Sequence, residues 1–196
     1  MAVGTLPLAV SDDALLKQAV AGDRDSMDEL FQRYRLVAYR VAHRLLGNEA
    51  DALDAVQDAF VKALVHLPSF EGRSSFKTWM LRVVSNAALD LGRQRGRRDI
   101  LSMDALSPTY REECEPLIQP DPGRELERQD LRRKLHEALA QLPIAQRQTF
   151  VLHGEAELSY REVAETLDIS IGTVMSRLYY ARQRLRVLLE PWMKLQ

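Results

Sequence analysis

The stretch Leu158-Ser159-Tyr160-Arg161-Glu162-Val163-Ala164-Glu165-Thr166-Leu167-Asp168-Ile169-Ser170-Ile171-Gly172-Thr173-Val174-Met175-Ser176-Arg177 decides the reading of this chain. Ser159 and Glu162 have the spacing of a capping box, in which a hydroxyl and a carboxylate satisfy the free backbone donors of a helix start. The helix so opened carries Val163, Ala164 and Leu167. A short turn, Asp168-Ile169-Ser170, ends in a second N-cap, and the last helix begins at Ile171. Two helices joined by so short a turn form a helix-turn-helix. At helical periodicity the last helix has two faces. Val174, Leu178, Ala181 and Leu185 fall on one; Thr173, Ser176, Tyr180, Gln183 and Arg184 fall on the other. The second face mixes hydroxyls, an amide, an aromatic ring and a guanidinium, groups that hydrogen-bond base edges and phosphates in a major groove. An ordinary amphipathic surface helix is the alternative reading.

Upstream of this motif almost every segment reads as helix, and no run alternates with period two for long enough to make a strand. Ser11 with Asp12 and Asp13 reads as a cap and acidic first turn. Helices are expected over about 26–46, stopped by Gly47, over about 49–67, ended by Pro68, and over about 76–95, with a loop at 68–75. Residues 96–124 change character: they hold Gly96, Pro108, Pro116, Pro120, Pro122 and Gly123 and no sustained helical stripe. A helix over about 125–141, a break at Pro143 and three shorter helices complete the chain. The expected fold class is all-α: two small helical domains, at 1–97 and 125–196, joined by a flexible acidic linker at 98–124.

The 196 residues carry 27 Lys and Arg against 28 Asp and Glu, a formal charge of −1. That balance excludes a polybasic DNA coater, whose affinity rests on a large uniform excess of positive charge. The total hides blocks. Residues 67–98 net +5, 99–130 net −6 and 171–196 net +4. Cys114 is the single cysteine, and His43, His66, His136 and His153 are scattered, so neither a disulfide nor a metal site is expected. The longest uncharged stretch, Met1 to Ser11, is too short to span a bilayer and lacks the basic start of a signal peptide. A cytoplasmic protein without membrane insertion is expected.

Two upstream helices carry candidate surfaces. On the helix over 49–67, Leu53, Val56, Phe60 and Leu64 read as an apolar stripe. Asp51, Asp54 and Asp58 lie within roughly 60° of one another on the opposite side. Like charges so placed repel, and a basic protein partner relieves that cost; a solvated acidic face is the plainer reading. Nothing near them supplies a nucleophile, a metal ligand or a phosphate loop, so no enzyme is expected. On the helix over 76–95, Phe76, Met80, Val83, Ala87 and Leu91 read as the packed face, with Arg82, Asn86, Arg93 and Arg97 along a flank. Arg93 to Arg98 add a basic tail beyond what capping of the helix dipole needs. Phe70, Phe76 and Trp79 lie nearby, and aromatics beside arginines suit unstacked bases. Phe76 reads as core; Trp79 stays open between core and DNA.

Four passages together resemble the extracytoplasmic-function (ECF) group of bacterial sigma factors, over about Asp12 to Leu189. Leu30-Phe31-Gln32-Arg33-Tyr34 resembles the start of conserved region 2. Ala50 to Asp58 resembles the family's acidic D-x-x-D-x-x-Q-(D/E) helix. Phe70 to Trp79, with Arg82 and Asn86, resembles the promoter-reading stretch. Leu142-Pro143 to Gln146-Arg147, Leu158 to Ala164 and Gly172 to Arg177 resemble region 4. The resemblance implies a promoter-specificity subunit that needs no cofactor. Its implied partners are core RNA polymerase, through the β′ clamp helices and the β flap, promoter DNA and, as for many members, an anti-sigma factor. Asp51, Asp54, Gln57 and Asp58 are the implied polymerase contacts. Phe70, Arg73, Trp79, Arg82, Asn86 and Arg93 are implied to meet the −10 element as an unpaired non-template strand, one base being flipped into a pocket beside the 68–75 loop. Thr173, Ser176, Arg177, Tyr179, Tyr180 and Arg184 are implied to meet the −35 element as duplex. The chain departs from the family's pattern at Met175 and Tyr180, where a basic residue is common. Two other classes fit the pattern without the resemblance: a helix-turn-helix regulator acting without polymerase, and a helical interaction protein without a DNA role. The acidic helix separates the first of these from a sigma factor.

Overall fold

Helices α1 to α4, α7 and α8 each begin where a side chain takes up a free backbone donor. The computed structural model describes the backbone of residues 10–101 and 122–193, and the side chains of 10–95, 130–131 and 133–192. Helix α1 (Asp12–Val20) is capped by Ser11, whose Oγ accepts from the Ala14 N–H at 3.3 Å. Helix α2 (Arg24–Leu46) starts two residues before the expected Ser26, because Asp23 is the cap and accepts from the Ser26 N–H at 3.0 Å. The Ser26 hydroxyl is then free to donate to Gln18 Oε1 at 2.7 Å, which ties α2 to α1. Gly47 ends α2 in the left-handed region, φ 88°, and its N–H closes on His43 O at 2.8 Å. Helix α3 (Glu49–His66) is capped by Asn48, and a 3-10 turn (Leu67–Ser69) with Pro68 follows it.

Helix α4 (Phe76–Leu101) runs past the expected end near Arg95, continuing through Gly96. Helix α5 (Pro122–Ala140) begins earlier than expected, with a proline in the first position, where the missing N–H costs nothing. The expected linker at 98–124 therefore loses both ends to helix, and its remainder, with Cys114, lies outside the described residues. Helices α6 (Ile144–Gly154), α7 (Tyr160–Leu167) and α8 (Ile171–Met193) complete the fold. No strand occurs among the described residues.

Two corrections concern which faces are buried. On α3 Val56 is buried and Phe60 half-buried as expected, but the rest of the buried stripe is Ala52, Ala55, Ala59 and Ala63 rather than Leu53 and Leu64. Alanines let α3 lie close against α2 and α4, so Leu53 (52% exposed), Val61 and Leu64 turn outward. On α4 the expected face is packed at Phe76, Met80 and Ala87, but Leu81, Val84 and Ala88 are also fully buried. The second face is covered because α7 packs on α4, and α6 and α5 pack on the end of α2. One apolar cluster therefore runs from the N-terminal helices into Val151, Leu158, Val163 and Val174. Burying a residue such as Leu81 or Val84 contributes about 1.5–3 kcal/mol. A smaller cluster, Ala138, Leu139, Leu142, Ala181 and Leu185, joins α5 to α8.

Candidate nucleic-acid and partner interfaces

The helix-turn-helix is built as its sequence directs. Ser159 Oγ accepts from the Glu162 N–H at 3.2 Å, and Glu162 Oε2 accepts from the Ser159 N–H at 2.8 Å, closing the capping box. The Ser159 hydroxyl and the Ser159 N–H beside the Glu162 carboxylate favour its ionised form, so its pKa is held below the ordinary carboxylate range. Asp168 ends α7 in the left-handed region (φ 54°), a conformation aspartate tolerates better than most residues. Ser170 Oγ then accepts from the Thr173 N–H at 3.1 Å and starts α8.

Val174, Leu178, Ala181 and Leu185 are buried, so the opposite face of α8 is set outward. Ser176, Tyr179, Tyr180, Gln183 and Arg184 are exposed on it; Thr173 and Arg177 are half-buried. The Ser176 hydroxyl donates to Thr173 O at 3.0 Å, and the Thr173 hydroxyl is 2.9 Å from Ser170 Oγ. Both hydroxyls keep acceptor lone pairs for a ligand. The Tyr179 and Tyr180 rings meet edge to face at 5.4 Å, which braces two exposed phenols. A cleft of about 560 Å³ beside Tyr180 is lined by Gln146, Gln183 and Arg184. Met175 is 54% exposed at the head of this face.

In the N-terminal half, Phe70 leads into the 70–75 loop and stacks tilted on Trp79, with ring centroids 5.1 Å apart. Trp79 is half-buried and rests on the buried Phe76 at 5.7 Å. Phe76 is core, and Trp79 lies between it and Phe70, partly exposed. Gly72 sits at φ 68°, and exposed Arg73 pairs with Glu71. A cleft of about 410 Å³ opens between this loop and α1, lined by Phe70, Glu71, Gly72 and by Asp13, Leu16 and Lys17. Helix α1 is held in place for this by Asp12, which accepts from Arg33 Nη1 at 2.9 Å and from the Tyr34 hydroxyl. Burial and this carboxylate push the Tyr34 phenol well above its ordinary pKa. Arg82, Asn86 and Arg93 are exposed along α4.

The acidic helix divides. Asp54, Gln57 and Asp58 are exposed, but Asp51 is 2% exposed. Asp51 accepts from Asn48 Nδ2 at 2.6 Å, and its Oδ1 meets Arg95 as an ion pair rather than an aligned hydrogen bond. Its expected place on a shared acidic face is corrected: it joins the α3 N-terminus to α4. Asp54 and Asp58 instead line a groove of about 460 Å³ with Asp90 of α4, and Lys62 bonds Asp58 at 2.6 Å. Beside them Leu53, Val61, Leu64 and Val65 (69% exposed) form an apolar strip. Sequence reasoning missed this strip. The signal for it was the alanine spacing 52, 55, 59, 63, a second helical stripe competing for the core.

No group of His, Cys, Asp and Glu among the described residues could hold a metal, and no described helix is long and apolar enough to cross a membrane. Two family models match the chain: Sigma-70 region 2 over residues 30–98 and Sigma-70, region 4 over residues 132–185. The ECF RNA polymerase sigma-E factor of Haemophilus influenzae is 30% identical over 188 residues, 94% of this chain and 98% of that protein. The ECF RNA polymerase sigma factor SigE of Mycolicibacterium smegmatis is 35% identical over 168 residues, 84% of this chain but 63% of that protein. Two solved structures share the fold. CnrH in complex with the cytosolic domain of CnrY has a TM-score of 0.70 at 26% identity, covering 92% of this chain and 97% of CnrH. The sigma factor RpoE of Bartonella quintana, in complex with the anti-sigma factor NepR, has a TM-score of 0.64 at 28% identity, covering 83% of this chain and 97% of RpoE. With both sigma regions in order along one all-helical chain, and near-full-length relatives at this identity, the chain belongs to the ECF sigma factors of RNA polymerase.

Proposed function

We propose that this sigma factor joins core RNA polymerase through α3 and reads its promoter with two separate surfaces. The observation that carries the reading is the sorting of exposed chemistry by helix. Carboxylates and apolar side chains share α3, while aromatics and guanidiniums gather on α4 with its loop and on α8. A protein partner with a basic and apolar helical surface, such as the β′ clamp helices, fits Asp54, Gln57, Asp58 and the strip from Leu53 to Val65. Region 4 would meet the β flap.

The −10 element is read as unpaired non-template strand at the 70–75 loop. A base leaving its stack needs a ring to rest on and a cleft to enter. Phe70 on Trp79 is such a platform, and the cleft between loop and α1 lies beside it. Arg73, Arg82 and Arg93 serve the phosphates, and Asn86, with both donors and acceptors, serves a base edge. The −35 element is read as duplex by the outer face of α8. Arg177 and Arg184 suit phosphates or guanine, and Thr173, Ser176, Tyr179 and Tyr180 suit mixed contacts. The free energy of strand opening comes from these binding contacts, so the chain itself performs no bond chemistry. An anti-sigma factor is a further proposed partner, supported by the complexes in which CnrH and RpoE were solved.

Binding to core polymerase tests this reading against a regulator that acts without polymerase. The full chain should bind core enzyme with a sub-micromolar Kd, and the holoenzyme should retain a promoter fragment that the free chain does not. Absence of core binding at that concentration would overturn it.

A further inference from the structure

The two domains touch through a cluster of cationic and titratable groups that the proposed function leaves unused. Helix α5 lays His136 directly over Gly47 at the end of α2; a Cβ on Gly47 would stand 2.5 Å from His136 Nε2. Only a glycine leaves room for the ring. The His43 ring lies 6.2 Å away, centroid to centroid. From α6, Arg147 Nη1 donates to Leu45 O at 3.1 Å, placing a cation on the C-terminal end of the α2 dipole. Arg44 Nε donates to Glu155 Oε1 at 2.8 Å, and Gln148 Nε2 donates to Ser85 Oγ at 3.4 Å. These contacts all cross from one domain to the other.

We infer that this junction is an acid-weakened latch: neutral His136 seats on Gly47 and helps the apolar contacts hold the domains together, and a protonated His136 loosens that hold. The charge around the ring decides the sign. The groups that act on it most are His43 and Arg44 of α2, Arg147 of α6 and Glu137 of its own helix. Glu155, the nearby carboxylate of the junction, is bonded to Arg44, and Glu137 is bonded to Arg133 at 3.1 Å. With Arg44 and Glu155 offsetting each other, a new cation on His136 would meet the Arg147 guanidinium and a second imidazole. His136 Nδ1 is buried and takes no hydrogen bond among the described residues, so no acceptor waits for the added proton.

Burial, then His43, Arg44 and Arg147, hold the ring below the ordinary value of 6.5. The docked form thus binds fewer protons than the open form. Docking is complete above about pH 6.5 and weakens as pH falls below it, by at most about tenfold in the open-to-closed ratio per pH unit.

The consequence for transcription rests on the proposed function; the latch itself does not. A docked globule of this length has a radius of gyration of roughly 16 Å and a diameter of roughly 40 Å. Elements some 25 base pairs apart, as the −35 and −10 labels state, are separated by about 85 Å of duplex at 3.4 Å per step. Closed domains cannot reach both, so opening the latch increases the fraction of chains competent to engage a promoter.

Small-angle X-ray scattering of the full chain, without polymerase, tests the latch. Between pH 7.5 and 5.5 the radius of gyration should rise at constant helical circular dichroism, and His136→Gln should have the same radius at both values. An unchanged wild-type radius, or an equal expansion in His136→Gln, would overturn the latch. Should His136→Gln lose helicity, NMR titration of the His136 ring in the unmodified chain replaces it. The ring and the expansion must then share one midpoint below 6.5, and separate midpoints would overturn the latch.

Discussion

Asp54 and Asp58 stand one turn apart on α3 and face Asp90 across a groove, while Asp51, one turn earlier, is buried under Arg95. Three aspartates in one helical pattern therefore divide between an exposed groove and an internal tie. Periodicity placed all three on one side of the helix; it could not show that α4 carries an arginine across to the first of them. Reversing Asp54 and Asp58 to lysine should weaken core polymerase binding at least tenfold, about 1.4 kcal/mol, with circular dichroism unchanged. Affinity equal to wild type in a binding titration would remove this face from the interface. Asn86 is exposed on α4, where an alanine costs the fold little. Asn86→Ala should lower open-complex formation tenfold or more, as expected for loss of a base contact of about 1–3 kcal/mol, and leave binding to an isolated −35 duplex unaltered. Permanganate footprinting of the unpaired strand reads the first and gel retardation the second; equal losses in both would assign Asn86 to structure.

At the scale of elements, caps and turns were the most legible part of the chain. Ser11, Gly47, Ser159 with Glu162, and Ser170 act where the sequence places them, because capping is local chemistry within four residues. Faces were less legible. Val56 and Phe60 of the expected α3 stripe face the core, but Leu53 and Leu64 do not, because larger apolar residues outweigh alanine in any pattern count, whereas close helix packing prefers alanine. The second buried face of α4 depends on α7, some 80 residues downstream, and no local window holds that information. Ser159→Ala should cost about 1 kcal/mol of stability, seen as a lower midpoint in urea. The Glu162 half of the box is stabilising above the ordinary carboxylate pKa and is lost as pH falls through its depressed value. The difference in Tm between wild type and Glu162→Gln should therefore shrink on acidification from pH 6 to pH 3; a constant difference would contradict the capping role. Leu81→Ala, in the α4 face that meets the C-terminal helices, should cost about 2–5 kcal/mol.

Over the whole molecule, a charge of −1 conceals basic blocks at 67–98 and 171–196 that cancel against an acidic linker and an acidic helix. A protein so balanced has little non-specific attraction for DNA by itself, and on the proposed function gains it when polymerase covers the acidic helix. The two-domain plan was legible from the proline- and glycine-rich break and the change in charge. The docking of the domains was not, because it rests on side chains such as His136 on Gly47 and Arg147 on Leu45, pairs separated by about 90 to 100 residues. The most direct test of the central claim is run-off transcription in vitro with purified core polymerase, this chain and genomic fragments, with start sites mapped. Discrete transcripts should appear that depend on the chain and share upstream elements at the −35 and −10 positions. Transcripts that are the same with and without the chain, from a core enzyme shown to bind it, would contradict it.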